Sequence, residues 1–336
     1  MSNSETVKIP IWGKTIPYNS KKSKLDDMEL NSVKDAWDAL MQLAPHLAGT
    51  EISDCRSQYD TMSYEAEIKP GIACETYEDV PFLTPYLVEG SDKVVLVVPG
   101  GGFAYKQSDI DIPPSGEGML TAMRLNEAGI SAFVLWYRNN PYCFPTCLID
   151  MQRAVRYIRY HASDYGYHPE KIGCIGFSAG GFLCASQTVY MRNRKPQADG
   201  YVPDEVDRVS DQVALAGLIY PCLNFKTNMN LLHVNLGEDI WDEEKRVAFL
   251  DEYDMTTKVC RGDAPQFISY GTEDAAIGPE GIYAYRDALD KNKVEYIYQS
   301  VVNANHGFSG QQEFAYWAKT FTDWANMIFS RMDSSL

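Results

Sequence analysis

Two rhythms of apolar residues alternate along most of this chain. Short, nearly continuous apolar runs fall at Val94 to Val98, Ser131 to Trp136, Ile172 to Ile175, Val213 to Tyr220, Gln266 to Ser269 and Val294 to Gln299. A run without polar alternation is what a strand covered on both faces presents, so these read as strands of a parallel sheet. Between and after them, near Gly116 to Ala128, Leu148 to Ser163, Gly181 to Met191, Gly281 to Asn292 and Glu313 to Phe329, apolar residues recur every three or four positions. That period predicts amphipathic helices. Strand and helix in strict turn predict an α/β fold, a mostly parallel, doubly wound sheet with helices on both faces.

Upstream the pattern differs. Tyr64 to Ile68 and Thr84 to Val88 alternate as an antiparallel pair would, and Asp26 to Leu43, ended by Pro45, predicts a helix in the polar first 60 residues. The chain is therefore divided into an N-terminal extension, residues 1–60, packing on the core, and a main domain, residues 61–336. The rhythm breaks once more at residues 224–262, about forty positions rich in Asp and Glu, before the penultimate strand. Insertions of that length act as lids or binding loops. Trp241, Phe249 and Tyr253 within it could stack on a sugar ring or simply pack the insertion onto the core. The uncharged stretch from Ile172 to Met191 is long enough to span a bilayer. Gly173, Gly176, Ser178, Gly180 and Gly181 break it into strand, turn and helix instead.

The length, 336 residues, allows one or two domains at roughly 150 residues each. Charge narrows the range of partners. Thirty Lys and Arg against 46 Asp and Glu leave a net charge of -16, a field that repels phosphate backbones and anionic lipid. Nucleic acid and membrane surfaces are excluded as partners on this ground, whereas a small neutral ester meets no such barrier; a homo-oligomer is left open. No basic segment followed by an apolar run opens the sequence, which predicts a cytoplasmic protein with reduced thiols. Cys143 and Cys147 are a C-x3-C pair without His or Cys partners nearby, so no metal and no organic cofactor is expected.

Chemistry is concentrated at Gly176-Phe177-Ser178-Ala179-Gly180, after one predicted strand and before a helix, the context in which G-x-S-x-G marks a nucleophilic serine. Both glycines are needed because the turn is too sharp for flanking side chains. Gly-rich turns also bind phosphate, but the chain lacks G-x-G-x-x-G and the G-K-[ST] loop. Pro99-Gly100-Gly101-Gly102-Phe103 follows the first core strand, where backbone amides can approach a reacting oxygen. The expected oxyanion-hole donors are the N–H groups of Gly101, Gly102 and Ala179. Proteins with this elbow keep the chain order serine, acid, histidine. Of five histidines, His46, His161, His168 and His233 are misplaced for that order, whereas His306 follows the last predicted strand. Glu273 and Asp274 follow the penultimate one; Asp274 is chosen as the acid, with Glu273 a solvated loop residue.

Taken together, Val97 to Phe103, Phe133 to Arg138, Asp150 to Arg156, Ile175 to Gly181 and Asn305-His306-Gly307 resemble the α/β-hydrolase superfamily. Within it they resemble the carbohydrate-esterase-like group related to acetylxylan and feruloyl esterases, over residues 92–330. Hormone-sensitive-lipase-like esterases carry H-G-G-G, G-D-S-A-G-G and Y-R-L-A-P, where this chain has Pro99, Phe177 and Tyr137-Arg138-Asn139-Asn140-Pro141. The resemblance implies a serine carboxylesterase without cofactor, with Ser178, Asp274 and His306 catalytic. Its substrates would be small short-chain acyl esters, imported acetylated oligosaccharides among them. An amidase, formamidase or peptidase of the same fold, or a non-catalytic ligand-binding relative, are the alternatives. Arg138, at a strand end, is read as a structural ion-pair residue.

Overall fold

The computed structural model describes residues 7–19, 80–103, 117–139, 142–192, 194–195, 198, 200–226, 231–236, 239, 242–308 and 316–333. The predicted helix 26–43 and strand 64–68, together with His46, Trp241 and the side chain of His233, lie outside them.

One sheet of eight strands organises the described residues: β1 (Ile9–Pro10), β2 (Phe82–Tyr86), β3 (Val94–Val98), β4 (Ser131–Trp136), β5 (Ile172–Phe177), β6 (Leu215–Ile219), β7 (Gln266–Gly271) and β8 (Tyr296–Val301). Their spatial order is β1-β2-β4-β3-β5-β6-β7-β8. From β4 to β8 all neighbours run parallel, and β2 closes the other end antiparallel to both β4 and β1. The period-two geometry of a strand explains why every residue of β3 is buried. Val94, Leu96 and Val98 face one core and Val95 and Val97 the other.

Helix α1 (Met119–Glu127) and α8 (Tyr316–Asp333) cover the Val95 and Val97 face, where Ala122, Leu125, Phe321, Trp324 and Ile328 pack on Ile175 and Phe177. The other face carries α2 (Thr146–Tyr160), the single turn α3 (Ala162–Tyr165), α4 (Ala179–Val189) and α7 (Glu280–Asn292), through residues such as Ile158, Phe182, Leu183 and Tyr285. Burial of each such side chain stabilises the fold by about 1.5–3 kcal/mol, which secures the helices more than their intrinsic propensity does. No helix among the described residues is long and apolar enough to cross a membrane.

Strands β3 and β4 match their predicted bounds; β5 and β7 run two residues further and β2 lies two residues earlier. Helix α4 begins at Ala179, two residues before the apolar period becomes legible, because Gly180 and Gly181 are helical through packing. A Cβ on Gly180 would lie 2.0 Å from the Val98 carbonyl oxygen. Within 224–262 the described elements are α5 (Leu232–Leu236), α6 (Glu243–Glu252) and a 3-10 turn, Met255–Thr257. Phe249 and Tyr253 are buried there, their rings 5.3 and 4.9 Å from that of Phe144, so they pack the insertion onto the core.

Helix α2 departs most from an amphipathic reading, since its polar face is buried too. Asp150 accepts from Arg138 Nε (2.9 Å) and Nη2 (2.7 Å) and from Trp12 Nε1 (2.8 Å). Arg138 Nη1 donates to the Pro17 carbonyl at 2.9 Å and Arg153 Nε to that of Ile11 at 2.7 Å. Residues 7–19 thus form a strap across α2, held by buried charges, and Arg138 has the ion-pair role expected of it.

Candidate active site

The C-terminal ends of the parallel strands deliver three loops to one point. Strand β5 ends in a turn where Ser178 takes φ 51 and ψ −115, left-handed backbone that costs a non-glycine residue of order 1–3 kcal/mol. The flanking glycines permit it, because a Cβ on Gly176 would lie 2.1 Å from the Gly180 carbonyl oxygen. The Ser178 amide donates to the Ile219 carbonyl at 3.0 Å and the Ser178 carbonyl accepts from Cys222 N at 3.3 Å. These bonds brace the strained turn against β6 and its following loop.

After β7, Asp274 turns back into the protein. Its Oδ1 accepts from the Ala276 and Ile277 amides at 3.1 and 3.0 Å, and its Oδ2 faces His306 Nδ1 at 2.8 Å. Adjacent Glu273 is exposed. His306 lies on the loop after β8, where Asn305 Oδ1 accepts from both His306 N (2.8 Å) and Ala275 N (3.2 Å) and so joins the two loops. Gly271 permits their approach: a Cβ there would lie 2.2 Å from the Ala304 carbonyl oxygen.

His306 Nε2 lies 2.9 Å from Ser178 Oγ, completing an unbroken chain Asp274, His306, Ser178. A carboxylate only accepts, so it places the ring proton on Nδ1 and leaves the Nε2 lone pair for the serine hydroxyl. Such an arrangement can draw the proton from the hydroxyl as its oxygen attacks, and can stabilise the imidazolium that results. His161 pairs with exposed Asp164, and His168 accepts from the Glu170 amide, each on the surface.

The glycine loop lies against the elbow, since a Cβ on Gly100 would be 3.0 Å from Ser178 Cβ. Gly101 and Gly102 take φ 124 and 59, the left-handed backbone that suits glycine, and Phe103 follows at φ 62. Ala179, also expected as a donor, opens α4 beside the serine.

Two residues of this site were not foreseen. Glu117 is buried behind the glycine loop, where its Oε2 accepts from Gly100 N and its Oε1 from the Tyr220 hydroxyl, both at 2.7 Å. Burial pushes the Glu117 carboxyl above its ordinary range; the bonds from Tyr220 and Gly100, and the nearby His306, offset part of that. The Tyr220 ring stands edge-on to the His306 imidazole, centroids 4.9 Å apart. In the sequence Glu117 reads as a favourable acid at the start of a helix, and Tyr220 as the last apolar residue of a strand; only the glycines on both sides of Glu117 hint at a tighter environment. Cys222, whose amide donates to the Ser178 carbonyl, carries a thiol that burial, reinforced by Asp274, pushes up to about 12. It is protonated at neutral pH and is no rival nucleophile. Among the described residues no group of three or more His, Cys, Asp or Glu is arranged to hold a metal.

A family model described as BD-FAE matches residues 82–289. The chain belongs to the BD-FAE family. This BD-FAE chain is 29% identical over 253 residues to endo-1,4-beta-xylanase B of Butyrivibrio fibrisolvens, a match covering 72% of the chain and 37% of that protein. It is 24% identical over 224 residues to the probable carboxylic ester hydrolase LipM of Mycobacterium tuberculosis, covering 65% and 50% respectively. The chain therefore spans half or less of the length of these two curated relatives. Among solved structures, the acetyl ester-xyloside bifunctional hydrolase from Caldicellulosiruptor lactoaceticus superposes with a TM-score of 0.63 at 28% identity, over 74% of this chain and 88% of that one. With this likeness and the observed sheet order, the fold of the BD-FAE chain is the α/β-hydrolase fold.

Proposed function

We propose that this protein is a serine carboxylic ester hydrolase that cleaves short-chain acyl esters of small neutral alcohols, acetylated sugars among them, through an acyl-enzyme. The observation that carries the reading is the unbroken chain from Asp274 through His306 to Ser178 on a strained elbow beside a glycine loop. Ser178 Oγ attacks the acyl carbon as His306 Nε2 takes its proton. Amides of Gly101, Gly102 and Ala179 receive the oxygen that becomes anionic, and His306 then returns the proton to the departing alkoxide. Water, deprotonated by the same imidazole, cleaves the acyl-serine and releases the acid. Each step uses only protein groups and water.

The relatives' printed activities include glycoside as well as ester cleavage, and the geometry favours the ester. Glycosidases flank the scissile bond with two carboxyl groups about 5–10 Å apart. Here the Asp274 carboxylate is engaged by His306 and two amides, and Glu117 by Gly100 and Tyr220, so neither faces a substrate. A short acyl group is supported by the acetyl ester in the name of the Caldicellulosiruptor lactoaceticus hydrolase. A sugar alcohol is supported by the acetyl ester-xyloside and xylanase names of the relatives.

The test is a panel of p-nitrophenyl esters of increasing chain length, acetylated xylo-oligosaccharides, N-formyl amides and peptides, each run beside Ser178→Ala. The expected result is fastest turnover from acetate to butyrate, release of acetate from the oligosaccharides, and loss of both in the variant. Faster cleavage of amides, or rates that climb to octanoate and beyond, would replace this reading.

A further inference from the structure

We propose that Glu117 is a positioning residue of this site, whose single carboxylate sets both the glycine loop and the aromatic wall of the histidine. The proposal rests on the esterase reading above and concerns how that site is held. Its geometric basis is the pair of 2.7 Å bonds from Gly100 N and the Tyr220 hydroxyl to the two oxygens of one buried side chain.

Each bond reaches a different half of the site. With its N–H committed to Glu117, Gly100 cannot donate to a reacting oxygen, and the Pro99 carbonyl just before it is fixed by the Tyr137 hydroxyl at 2.9 Å. The root of the loop is thus tied at two adjacent backbone groups, which determines where the next amides, of Gly101 and Gly102, point. Oxyanion stabilisation depends on donors already aimed when charge develops, so a root free to rotate would forfeit it. The other oxygen holds Tyr220, whose backbone takes φ 38 and whose ring is wedged between His306 and Phe308, centroids 4.9 and 4.8 Å away. Glu117 itself touches neither the serine hydroxyl nor the imidazole, so its effect passes through its two partners. Glutamine can reproduce both bonds, its carbonyl accepting from Gly100 N and its amide donating to the tyrosine oxygen. Alanine can make neither.

The experiment measures kcat and KM separately on p-nitrophenyl acetate for wild type, Glu117→Ala, Glu117→Gln and Tyr220→Phe, with circular dichroism and melting to establish folding and Ser178→Ala as reference. Misaimed donors weaken transition-state binding, so alanine should lower kcat by roughly 10- to 100-fold with KM nearly unchanged. Glutamine should recover most of kcat, and Tyr220→Phe should lose it several-fold. A folded alanine variant with full kcat, a loss confined to KM, or a glutamine variant as impaired as alanine would overturn the proposal. If Glu117→Ala does not fold, Tyr220→Phe decides, and unchanged kcat there overturns it equally. Wild-type turnover abolished by Ser178→Ala alongside full activity in the Glu117 variants would remove this proposal alone. A wild type without Ser178-dependent ester cleavage would remove the esterase reading, and this proposal with it.

Discussion

At the scale of single residues, two neighbouring carboxyl groups with opposite environments provide a sharp contrast. Asp274 is buried and faces His306, whereas Glu273 is exposed. Asp274→Asn keeps the shape but offers an amide that can hold the wrong imidazole tautomer, so kcat should fall by on the order of 10³–10⁴-fold. Glu273→Gln should leave turnover nearly unchanged. Stopped assays on both variants check this, and the reverse ranking would mean that the acid had been misassigned. Glu117 gives a second prediction, in stability. Burial raises its folded carboxyl above the unfolded value, so as pH rises the unfolded chain releases its proton first. The ionised form costs the folded state stability, and that cost grows from about pH 4, the ordinary glutamate range, up to the raised value. Glu117→Gln carries no such charge. Its melting temperature should therefore gain on that of wild type between about pH 4 and pH 7; a difference that stays flat, or moves the other way, would contradict the direction of the shift.

Among the elements, the regular core was legible because its signal is local. Every position of β3 is apolar since both faces are covered, and the G-x-S-x-G turn announces itself by glycines that no other residue can replace there. The motif likewise led to Ser178, and loop order to His306 and Asp274. What stayed hidden was pairing over long sequence distances. The arginines of α2 look like a solvated face, yet they are covered by residues 7–19 and by loops far along the chain. Glu117 is bound by partners 17 and 103 residues away, which no local period encodes. The strap makes a testable element of its own. Arg138 and Asp150 are both fully buried, so Asp150→Ala would leave a guanidinium uncompensated in the interior and detach Trp12 as well. A loss of about 3–5 kcal/mol is expected, measured by urea unfolding. Replacing exposed Asp164, which pairs with His161 at the surface, should cost less than about 1 kcal/mol in the same experiment.

For the whole molecule, the surplus of acidic residues becomes a property of the reaction. A net charge of -16 is expected to set a negative field that substrates meet on approach, and such fields change encounter rates rather than chemistry. Neutral acyl esters cross it unaffected. An ester whose acyl chain ends in a free carboxylate must work against it, and salt shortens the reach of the repulsion from about 30 Å at 0.01 M to about 10 Å at 0.1 M. Comparing p-nitrophenyl butyrate with the p-nitrophenyl monoester of succinate keeps the acyl chain at four carbons and adds one negative charge. The kcat/KM for butyrate should vary little with sodium chloride, whereas that for the succinate ester should begin lower and rise several-fold as salt is added. Equal salt dependence for the two esters, or a succinate rate that falls with salt, would mean that the local field at the serine is set by nearby cations instead of by the overall charge, and would reopen anionic esters as substrates.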